Sequence, residues 1–494
     1  MSALTSQHSR LFDTISAAAG QPVYLVGGAV RDAMLGRESH DLDFVLQKDA
    51  RAVGKRVANA LGGGFYMLDE ARDTARVIIQ GEDGRKQFLD FATFRGPDLE
   101  ADLRDRDFTV NAMALELGSE RLVDPTDGAQ DLLHRQLRPC APTSLTSDPV
   151  RVMRAVRLSL ALDHRILPET AAAMRHAAGL LERVSPERKR DELFRMFDGQ
   201  RVDTALRLLD RFGALPTILP ELENAKGVQQ SAPHIYDVWE HTLNVIQQLE
   251  GLLAVLVGGD AGRAANIHAS TVLLFLRKYR ENFRAHFDAL LTPSRTPRAL
   301  LFLSALYHDI SKPEARSVEE SGRVRFFEHE HIGADVIERR ARALSLSTVE
   351  VQRAVTIVKN HMRLHHLAAT GNPPSRRAVY RFFKAVKGAG PDVCILSLAD
   401  VMGTYGVTLN QEVLENELMV AHALLDGLWE TPEEVVRPPK LLDGRDLQKL
   451  FDLQPGRRIG KLLEDLQEAQ AMGKVSSRED ALRFIEQRVK RDPS

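Results

Sequence analysis

A short stretch near the N-terminus constrains the fold more than any other part of the chain. Residues 21–43 read as a strand, a double-glycine turn ending at Gly28, a helix, and a second strand that carries Asp41 and Asp43. Glycines let backbone amides approach an anion closely, and the following helix presents the positive end of its dipole there. Arg31, one turn into that helix, adds a charge-assisted contact. This order predicts an α/β unit that binds phosphate.

The second strand of this stretch carries two carboxylates. Side chains alternate along a strand, so Asp41 and Asp43 share one face while Leu42 points into the core. Mg²⁺ prefers oxygen ligands and is commonly shared with substrate phosphates, and two such ions can activate a hydroxyl and neutralise a leaving pyrophosphate. The pair therefore predicts Mg²⁺-dependent phosphoryl transfer. Asp90, on a predicted neighbouring strand, is either a third carboxylate of this site or a surface acid.

The secondary-structure pattern changes along the chain. Strand-like runs occupy the first 125 or so residues, whereas from Pro149 onward apolar residues recur at helical spacing. A chain of 494 residues is too long for one core, so we expect several domains. The predicted class is an α/β head followed by an all-α body. The predicted strands are 23–26, 42–45, 75–79, 88–94 and 111–117.

Composition excludes several classes of protein. The longest apolar runs, such as residues 252–257, are far shorter than the roughly 18 residues that span a bilayer. The first 20 residues lack the pattern of a signal peptide, and two cysteines, Cys140 and Cys394, give no disulfide framework. We therefore expect a cytoplasmic protein with no membrane contact.

The basic residues are unevenly distributed, although the formal net charge is only -2. Residues 353–387 contain basic side chains and no Asp or Glu, which predicts either an RNA-facing surface or a solvated helix face. The basic residues are Arg353, Lys359, Arg363, Arg376, Arg377, Arg381, Lys384 and Lys387.

Several blocks together resemble one family. The sequence Gly-Gly-Ala-Val-Arg-Asp at 27–32, Asp-Leu-Asp at 41–43, and the blocks at 106–112, 124–132 and 148–157 follow in that order. They resemble the class II tRNA nucleotidyltransferase and bacterial poly(A) polymerase superfamily, and the resemblance covers the whole chain. It implies a polymerase β-like head followed by a helical neck, body and tail. It also implies transfer of CMP or AMP from CTP or ATP to a tRNA 3′-hydroxyl.

The resemblance also implies site residues. In that family an Asp and an Arg pair with the edge of the incoming base, and here they correspond to Asp148 and Arg151. Such an acceptor beside a donor matches the groups that cytosine and adenine share. Arg154 and Arg157 would then hold the triphosphate, and Arg106 the ribose or a phosphate. The full implied nucleotide-binding set is Gly28, Arg31, Arg106, Asp148, Arg151, Arg154 and Arg157.

Two departures from the family pattern affect the expected product. Ser147 stands where many members carry a Glu that steadies the base-reading Arg. Only residues 96–101 separate Phe94-Arg95 from the acidic and basic run that follows, where full CCA-adding members have a longer flexible loop. A shortened loop is typical of members that add only the two cytidines. We therefore expect CC addition, with a separate A-adding enzyme acting on the same tRNA.

A second set of residues lies in the helical part. The order of His241, His308-Asp309, His329, His361 and Asp400 resembles the HD metal-dependent phosphohydrolase domain. Imidazole and carboxylate ligands on separate helices can hold one or two divalent ions with an open position for water. The resemblance implies a metal site whose domain is either a phosphohydrolase or only a scaffold.

The blocks and proline-rich boundaries suggest four domains. They are a head at 1–140, a neck at 141–225, an HD domain at 226–405 and a tRNA-binding tail at 406–494, where helix starts with adjoining Arg could grip RNA or simply cap the fold. The alternatives to CC addition are, in order, full CCA addition, poly(A) synthesis, and an RNA-binding HD phosphohydrolase with an inactive head. A noncatalytic RNA-binding scaffold is a further alternative.

Overall fold

The chain divides into two compact units. The computed structural model describes residues 8–39, 41–81, 84, 86–258 and 267–491. The first unit contains residues 1–192 and 207–218, and the second contains 193–206 and 219–494. The predicted division into four domains stays a prediction.

The first unit is built on a seven-stranded sheet in the order β3-β4-β5-β2-β1-β6-β7. Strands β2 and β5 run parallel, and the other neighbours pair antiparallel. The strands are β1 (Val23–Val26), β2 (Asp41–Leu46), β3 (Gly64–Asp69), β4 (Thr74–Gln80), β5 (Lys86–Thr93), β6 (Ala114–Glu116) and β7 (Leu122–Val123).

Four of the five predicted strands are confirmed, as β1, β2, β4 and β5. The fifth predicted strand shortens to β6, because Thr109–Asn111 form a 3₁₀ turn. Strands β3 and β7 are missing from the prediction; Gly at the start of β3 and Asp at its end are typical of turns.

Helices cover one face of the sheet. Leu42 and Phe44 of β2 are buried on that face, where Phe12 of α1 (Ser9–Ala19) meets Phe44 edge-on at 6.2 Å. Phe44 also stacks on Phe91 of β5 at 5.2 Å. Each such buried side chain stabilises the fold by about 1.5–3 kcal/mol. Because the apolar side chains of β2 lie under these helices, Asp41 and Asp43 lie on the opposite face.

Helices make up most of the rest of the first unit, together with the short parallel strands β8 (Gln136–Leu137) and β9 (Arg165–Ile166). The helices are α1 (Ser9–Ala19), α2 (Gly28–Met34), α3 (Ala50–Leu61), α4 (Leu99–Arg104), α5 (Gly128–Leu133), α6 (Ser144–Ser147), α7 (Val150–Leu162), α8 (Pro168–Ala178), α9 (Pro186–Phe197), α10 (Val202–Arg211) and α11 (Leu215–Ile218). The unit boundary passes through α9 and α10.

The second unit is helical, as predicted, apart from one hairpin that the prediction omits, β10 (Arg316–Val318) with β11 (Val324–Phe326). Its helices are α12 (Val238–Val257), α13 (Ile267–Leu276), α14 (Arg280–Asp288), α15 (Pro297–Tyr307), α16 (His329–Ala343), α17 (Thr348–Asn360), α18 (Arg363–Ala368), α19 (Arg376–Val386), α20 (Gly390–Tyr405), α21 (Gln411–Trp429), α22 (Gly444–Phe451), α23 (Arg457–Ala471) and α24 (Arg478–Arg491). None of the described helices combines the length and the apolar character that crossing a bilayer requires.

Candidate functional sites

The double-glycine turn and the acidic strand meet at one place in the first unit. Gly27 has a φ of +74°, and a β-carbon built on it would lie 3.3 Å from Nη1 of Arg106 and 3.7 Å from Oδ2 of Asp43. Register pairs Asp43 with Val26 on β1 and with Asp90 on β5. The structure therefore brings Arg106 to the acidic site that the sequence predicted.

Negative charge accumulates around Asp43. Desolvation by the surrounding protein, together with the charges of Asp90 and Asp41, raises the pKa of Asp43 to about 6, although its side chain remains open to solvent. Asp90 is bound by Arg76 through two hydrogen bonds of 2.7 Å. Asp41 and Asp43 therefore fit a divalent cation that would relieve this repulsion, whereas both carboxylate oxygens of Asp90 are held by Arg76.

Arg31 lies at the start of α2 as predicted, but protein groups hold its guanidinium. Nη1 of Arg31 donates to Asn111 at 2.6 Å, and Nε and Nη2 donate to Asp32 at 2.9 Å. Asn111 in turn donates to Asp107 at 3.1 Å. These bonds fix the turn after Gly28, and a direct contact between Arg31 and phosphate stays a prediction.

The predicted base-reading pair lies at the start of α7. Arg151 is 8% exposed, and its Nη1 and Nη2 donate to the carbonyl oxygens of Arg106 and Asp105 at 3.1 and 3.0 Å. Its Nε lies 3.7 Å from Oδ2 of Asp148 and is a buried nitrogen without a hydrogen-bond partner. Backbone carbonyls thus steady Arg151, whereas the hydroxyl of Ser147 donates to the carbonyl of Ser144.

Arg188 holds the acidic member of this pair. Its Nη2 donates to Oδ2 of Asp148 at 2.7 Å. Partial burial favours the neutral form of Asp148, but the bond from Arg188 outweighs it and lowers the pKa of that carboxyl. Asp148 is therefore an ionised acceptor beside Arg151.

Arg154 and Arg157 converge on one buried carboxylate. Glu192 is 3% exposed and accepts from Nε of Arg154 at 3.1 Å and from Nε of Arg157 at 2.8 Å. Arg154 also donates to Asp107 at 3.1 Å. Glu192 could not be predicted from local sequence, because one Glu in a charged helix is usually solvated. The predicted role of both arginines in triphosphate binding stays a prediction.

In the second unit, all six predicted HD residues lie around one buried centre. Nε2 of His241 lies 3.3 Å from Asp309 and 3.1 Å from Asp400, and Nε2 of His308 lies 3.1 Å from Asp309. The other oxygen of Asp309 lies 3.2 Å from Nε2 of His329 and 3.7 Å from Nε2 of His361. Asp309 thus faces two groups of imidazoles, one on each carboxylate oxygen.

The imidazoles of this centre are oriented by the backbone. Nδ1 of His308, His329 and His361 lies 2.6, 2.9 and 2.7 Å from the carbonyl oxygens of Ala305, Phe326 and Val358. A proton on Nδ1 leaves the Nε2 lone pair directed at the centre. Burial and the nearby imidazoles of His308 and His329 lower the pKa of His361 to about 3, which keeps that ring neutral.

These groups fit divalent metal. Two sets of three ligand atoms lie within 4.8 Å of one another, His241 with His308 and Asp309, and Asp309 with His329 and His361. Nε2 of His241 and Nε2 of His308 are buried and have no hydrogen-bond partner among the described residues. Buried polar atoms without partners cost free energy, and coordination would remove that cost.

Two further residues beside this centre, Lys312 and His365, were not predicted from the sequence. Lys312 forms an ion pair with Asp309 at 2.7 Å, and His365 lies 3.0 Å from Asp400 and 2.8 Å from Glu417. Burial disfavours the charged form of His365, but the two carboxylates outweigh it and raise its pKa to about 10. Lys312 could have been predicted from its position four residues after His308. The contact of His365 with Asp400 could not, because it depends on the packing of α18 against α20.

The basic stretch at 353–387 does not form one continuous free surface. Arg353 is largely buried and bound to Asp392. Arg376, Arg377, Arg381 and Lys384 pair with acids of the C-terminal region, at Glu434, Glu468 and Glu464. Lys359 and Arg363 have no carboxylate partner among the described residues. The prediction of an RNA-facing surface is wrong for Arg353. The ion pairs of the other arginines and of Lys384 leave fewer basic side chains of this stretch available to RNA.

Family models match three regions of the chain. Residues 23–138 match the poly A polymerase head domain, and residues 165–226 match the model described as "Probable RNA and SrmB- binding site of polymerase A". Residues 266–404 match the HD domain. His241 lies before the HD match, yet the fold places it in the HD centre.

Relatives and solved structures agree with these matches. The A-adding tRNA nucleotidyltransferase of Deinococcus radiodurans is 32% identical over 95% of this chain and 96% of its own. The CC-adding tRNA nucleotidyltransferase of Thermus thermophilus is 32% identical over 93% of this chain and 92% of its own. A structure of a CCA-adding enzyme with CTP shares the fold, with a TM-score of 0.60 and 21% identity over 99% of this chain and 98% of that one. This chain therefore belongs to the tRNA nucleotidyltransferase family, and its second unit carries an HD domain.

Proposed function

We propose that the first unit transfers CMP from CTP to the 3′-hydroxyl of tRNA, releases pyrophosphate, and stops after two cytidines. One observation carries the assignment of the site. The side chain of Arg106 lies beside Gly27 and Asp43, while its carbonyl accepts a hydrogen bond from Arg151. A single residue thus links the acidic strand to the base-reading pair, as a site that must hold triphosphate and base together requires.

Each group at this site has a distinct task. Mg²⁺ bound by Asp41 and Asp43 would supply the charge that activates the hydroxyl and stabilises pyrophosphate. Amides of the turn at Gly28 and the guanidinium of Arg106 face the phosphates. Asp148 accepts from the amino group of cytosine, and the unpartnered Nε of Arg151 donates to a ring acceptor. Protein groups thereby select the base without a template.

The segment between β5 and α4 supports a product that ends at CC. It consists of only residues 94–98, and the structure shows it tied down at both ends. The amide of Arg95 donates to buried Asp102 at 3.0 Å, and Asp98 caps α4 by accepting from Ala101 at 2.8 Å. A short, fixed segment cannot act as the lever that readies the pocket for ATP in full CCA-adding members of the family.

A second candidate is addition of the terminal adenosine alone. The relative from Deinococcus radiodurans carries that name at 32% identity over nearly the whole chain. Arg151 and Asp148 suit either base, because cytosine and adenine share the pattern of an amino group beside a ring acceptor. Substrate end and nucleotide therefore have to be tested together.

The test uses three tRNAs, ending at the discriminator base, at C and at CC, each with CTP or ATP and Mg²⁺. Addition of C to the first two substrates, with no addition of A to the third, supports CC addition. Addition of A only to the third moves the assignment to A addition. Addition of A after both cytidines, or long A tails, contradicts both.

For the second unit we propose a divalent-metal phosphohydrolase that acts on phosphate esters. The metal would supply Lewis-acid charge and a water of lowered pKa. Asp309, with one oxygen towards each imidazole group, and Lys312 beside it are placed to position that water and the phosphate. Hydrolysis of a nucleoside 3′-phosphate by metal-loaded protein, lost in Asp309→Asn, tests this. Activity that survives the substitution would exclude the centre.

The proposed product also implies a partner enzyme and a location in the cell. CC addition leaves the tRNA end without its adenosine, so a separate A-adding enzyme is required as a partner. We propose that the protein acts in the cytoplasm, because its proposed substrate is tRNA.

A further inference from the structure

The second unit contains a cavity of about 550 Å³ that the proposed activities do not use. It lies between the start of α16, the end of α17, and helices α18 and α19. Lys359, Arg363, Arg377 and Arg381 line it, with Met362 and Phe382 among its apolar lining residues. We propose that this cavity binds single-stranded RNA and leads its end towards the HD centre.

Charge supports a phosphate ligand. Glu468 pairs with Arg377 and Arg381, so these two arginines are already partly neutralised. Lys359 and Arg363 are exposed and have no carboxylate partner among the described residues. Nε of Arg363 donates to Asn360 at 2.6 Å, which orients the guanidinium and leaves its terminal amino groups for a ligand. Glu330 is the one acid among the residues that line the cavity, and the basic side chains outnumber it, so the lining favours an anion.

The apolar part of the cavity favours a nucleic acid over a simple anion. Basic side chains combined with an apolar or aromatic platform form the usual surface for a strand, whose phosphates face the cations while its bases pack on the platform. Met362 and Leu367, both partly exposed, provide the accessible apolar atoms of this lining. The volume is within the range that holds one small organic ligand, such as a nucleotide unit of the strand.

The position of the cavity indicates the direction in which a bound RNA strand would run. Met362 also lines a second cavity of about 420 Å³, which contains Asp309, His329 and Asp400 of the HD centre. Glu330 lines the RNA cavity directly after His329, and Asn360 lines it directly before His361. The two cavities therefore lie on either side of the same helix ends. The direction rests on the proposed phosphohydrolase, whereas binding of the strand does not.

Binding is tested with a fluorescein-labelled five-nucleotide RNA and the full chain, by fluorescence anisotropy at several salt concentrations. Lys359→Ala with Arg363→Ala is expected to weaken binding about tenfold and to lower the salt slope by about 1.4, since each lost contact to single-stranded phosphate removes about 0.7. The control is Arg277→Ala with Arg339→Ala, two exposed arginines of the same unit that do not line the cavity. Equal affinity of the two double variants would overturn the proposal.

Hydrolysis separates this inference from the proposed activity. The Lys359 and Arg363 double variant should lose about tenfold in kcat/KM on a 3′-phosphorylated five-nucleotide RNA and stay unchanged on a 3′-phosphorylated mononucleotide. An equal loss on both substrates would contradict delivery of a strand. If metal-loaded protein hydrolyses neither substrate, the proposed phosphohydrolase fails, and the anisotropy result decides RNA binding alone.

Discussion

At the residue scale, the ionised form of Asp43 in the candidate acidic site lowers the stability of the first unit. Asp43 carries a pKa of about 6 because the surrounding protein, Asp90 and Asp41 disfavour its charge. A carboxyl whose pKa is raised in the folded state contributes stability below its unfolded pKa of about 4, and that stability is lost as pH rises through about 6. Above pH 6 without metal, this carboxylate therefore destabilises the first unit.

Asp43→Asn should consequently stabilise the metal-free protein at pH 7.5 while abolishing transfer. The gain is about 1 kcal/mol, below what the full shift implies, because solvent screens an exposed carboxylate. Thermal unfolding in EDTA measures it, with the difference from the unchanged protein shrinking as pH falls towards 4. A variant less stable than the parent at pH 7.5 would show that Asp43 is not under charge strain.

Gly27→Ala tests the turn at the same site. The φ of +74° strains any residue other than glycine, and the added methyl would crowd Arg106 and Asp43. We expect about 1 kcal/mol of lost stability and at least a roughly tenfold fall in kcat/KM for CTP. Gly20→Ala is the matched control, because Gly20 has a φ of +63° and nothing within 4 Å of the added atom. It should lose stability alone, and an equal loss of activity there would refute a local effect.

At the element scale, helix α7 is held by contacts that sequence blocks do not describe. Backbone carbonyls of Asp105 and Arg106 bind Arg151, and Glu192 of α9 binds Arg154 and Arg157. Asp102, 2% exposed, accepts from Arg106 at 3.1 Å and thereby connects α4 to the same site. The orientation of the predicted base-reading pair thus depends on α4, on the segment that follows it and on α9.

Glu192→Gln should loosen this arrangement. It removes the charge shared by two arginines in a buried setting, where breaking such a pair costs about 3 kcal/mol. We expect lower thermal stability and a higher KM for CTP. Glu169→Gln, an exposed acid on α8, serves as the control and should change neither. Unchanged stability of the Glu192 variant would mean that water or Asp107 replaces the carboxylate.

At the scale of the whole molecule, two candidate metal sites lie in separate compact units. Asp41 and Asp43 belong to the first unit, and the candidate HD ligands from His241 to Asp400 belong to the second. Because they share no residue, their chemistry should separate by substitution.

Asp41→Ala with Asp43→Ala should abolish nucleotide transfer and leave HD hydrolysis and its bound metal intact. Asp309→Asn should do the reverse, since it removes the ligand that faces both imidazole groups. Metal content by elemental analysis and single-nucleotide addition to tRNA provide the two readouts. Loss of both activities in either variant would contradict independent sites.

Much of this molecule could be predicted from local sequence. Short-range rules of backbone conformation and side-chain periodicity account for the turn at Gly28 and for the alternation that puts Asp41 and Asp43 on one face. The same rules account for strands β1, β2, β4 and β5. The family blocks likewise named Asp148 and Arg151, and the HD pattern named all six residues of the second centre.

Only the tertiary structure decided which groups complete these sites. Arg106 was already implied by the family blocks, but its place beside Gly27 depends on a fold that joins residues far apart in the chain. Glu192, His365 and Arg76, which had no such signal, gain their partners in the same way. Charge partners across elements have no local signature, because any exposed Arg or Glu has the same sequence appearance. The sequence therefore determined which residues can do the chemistry, and packing decided their partners, their charge states and which cations remain available to a ligand.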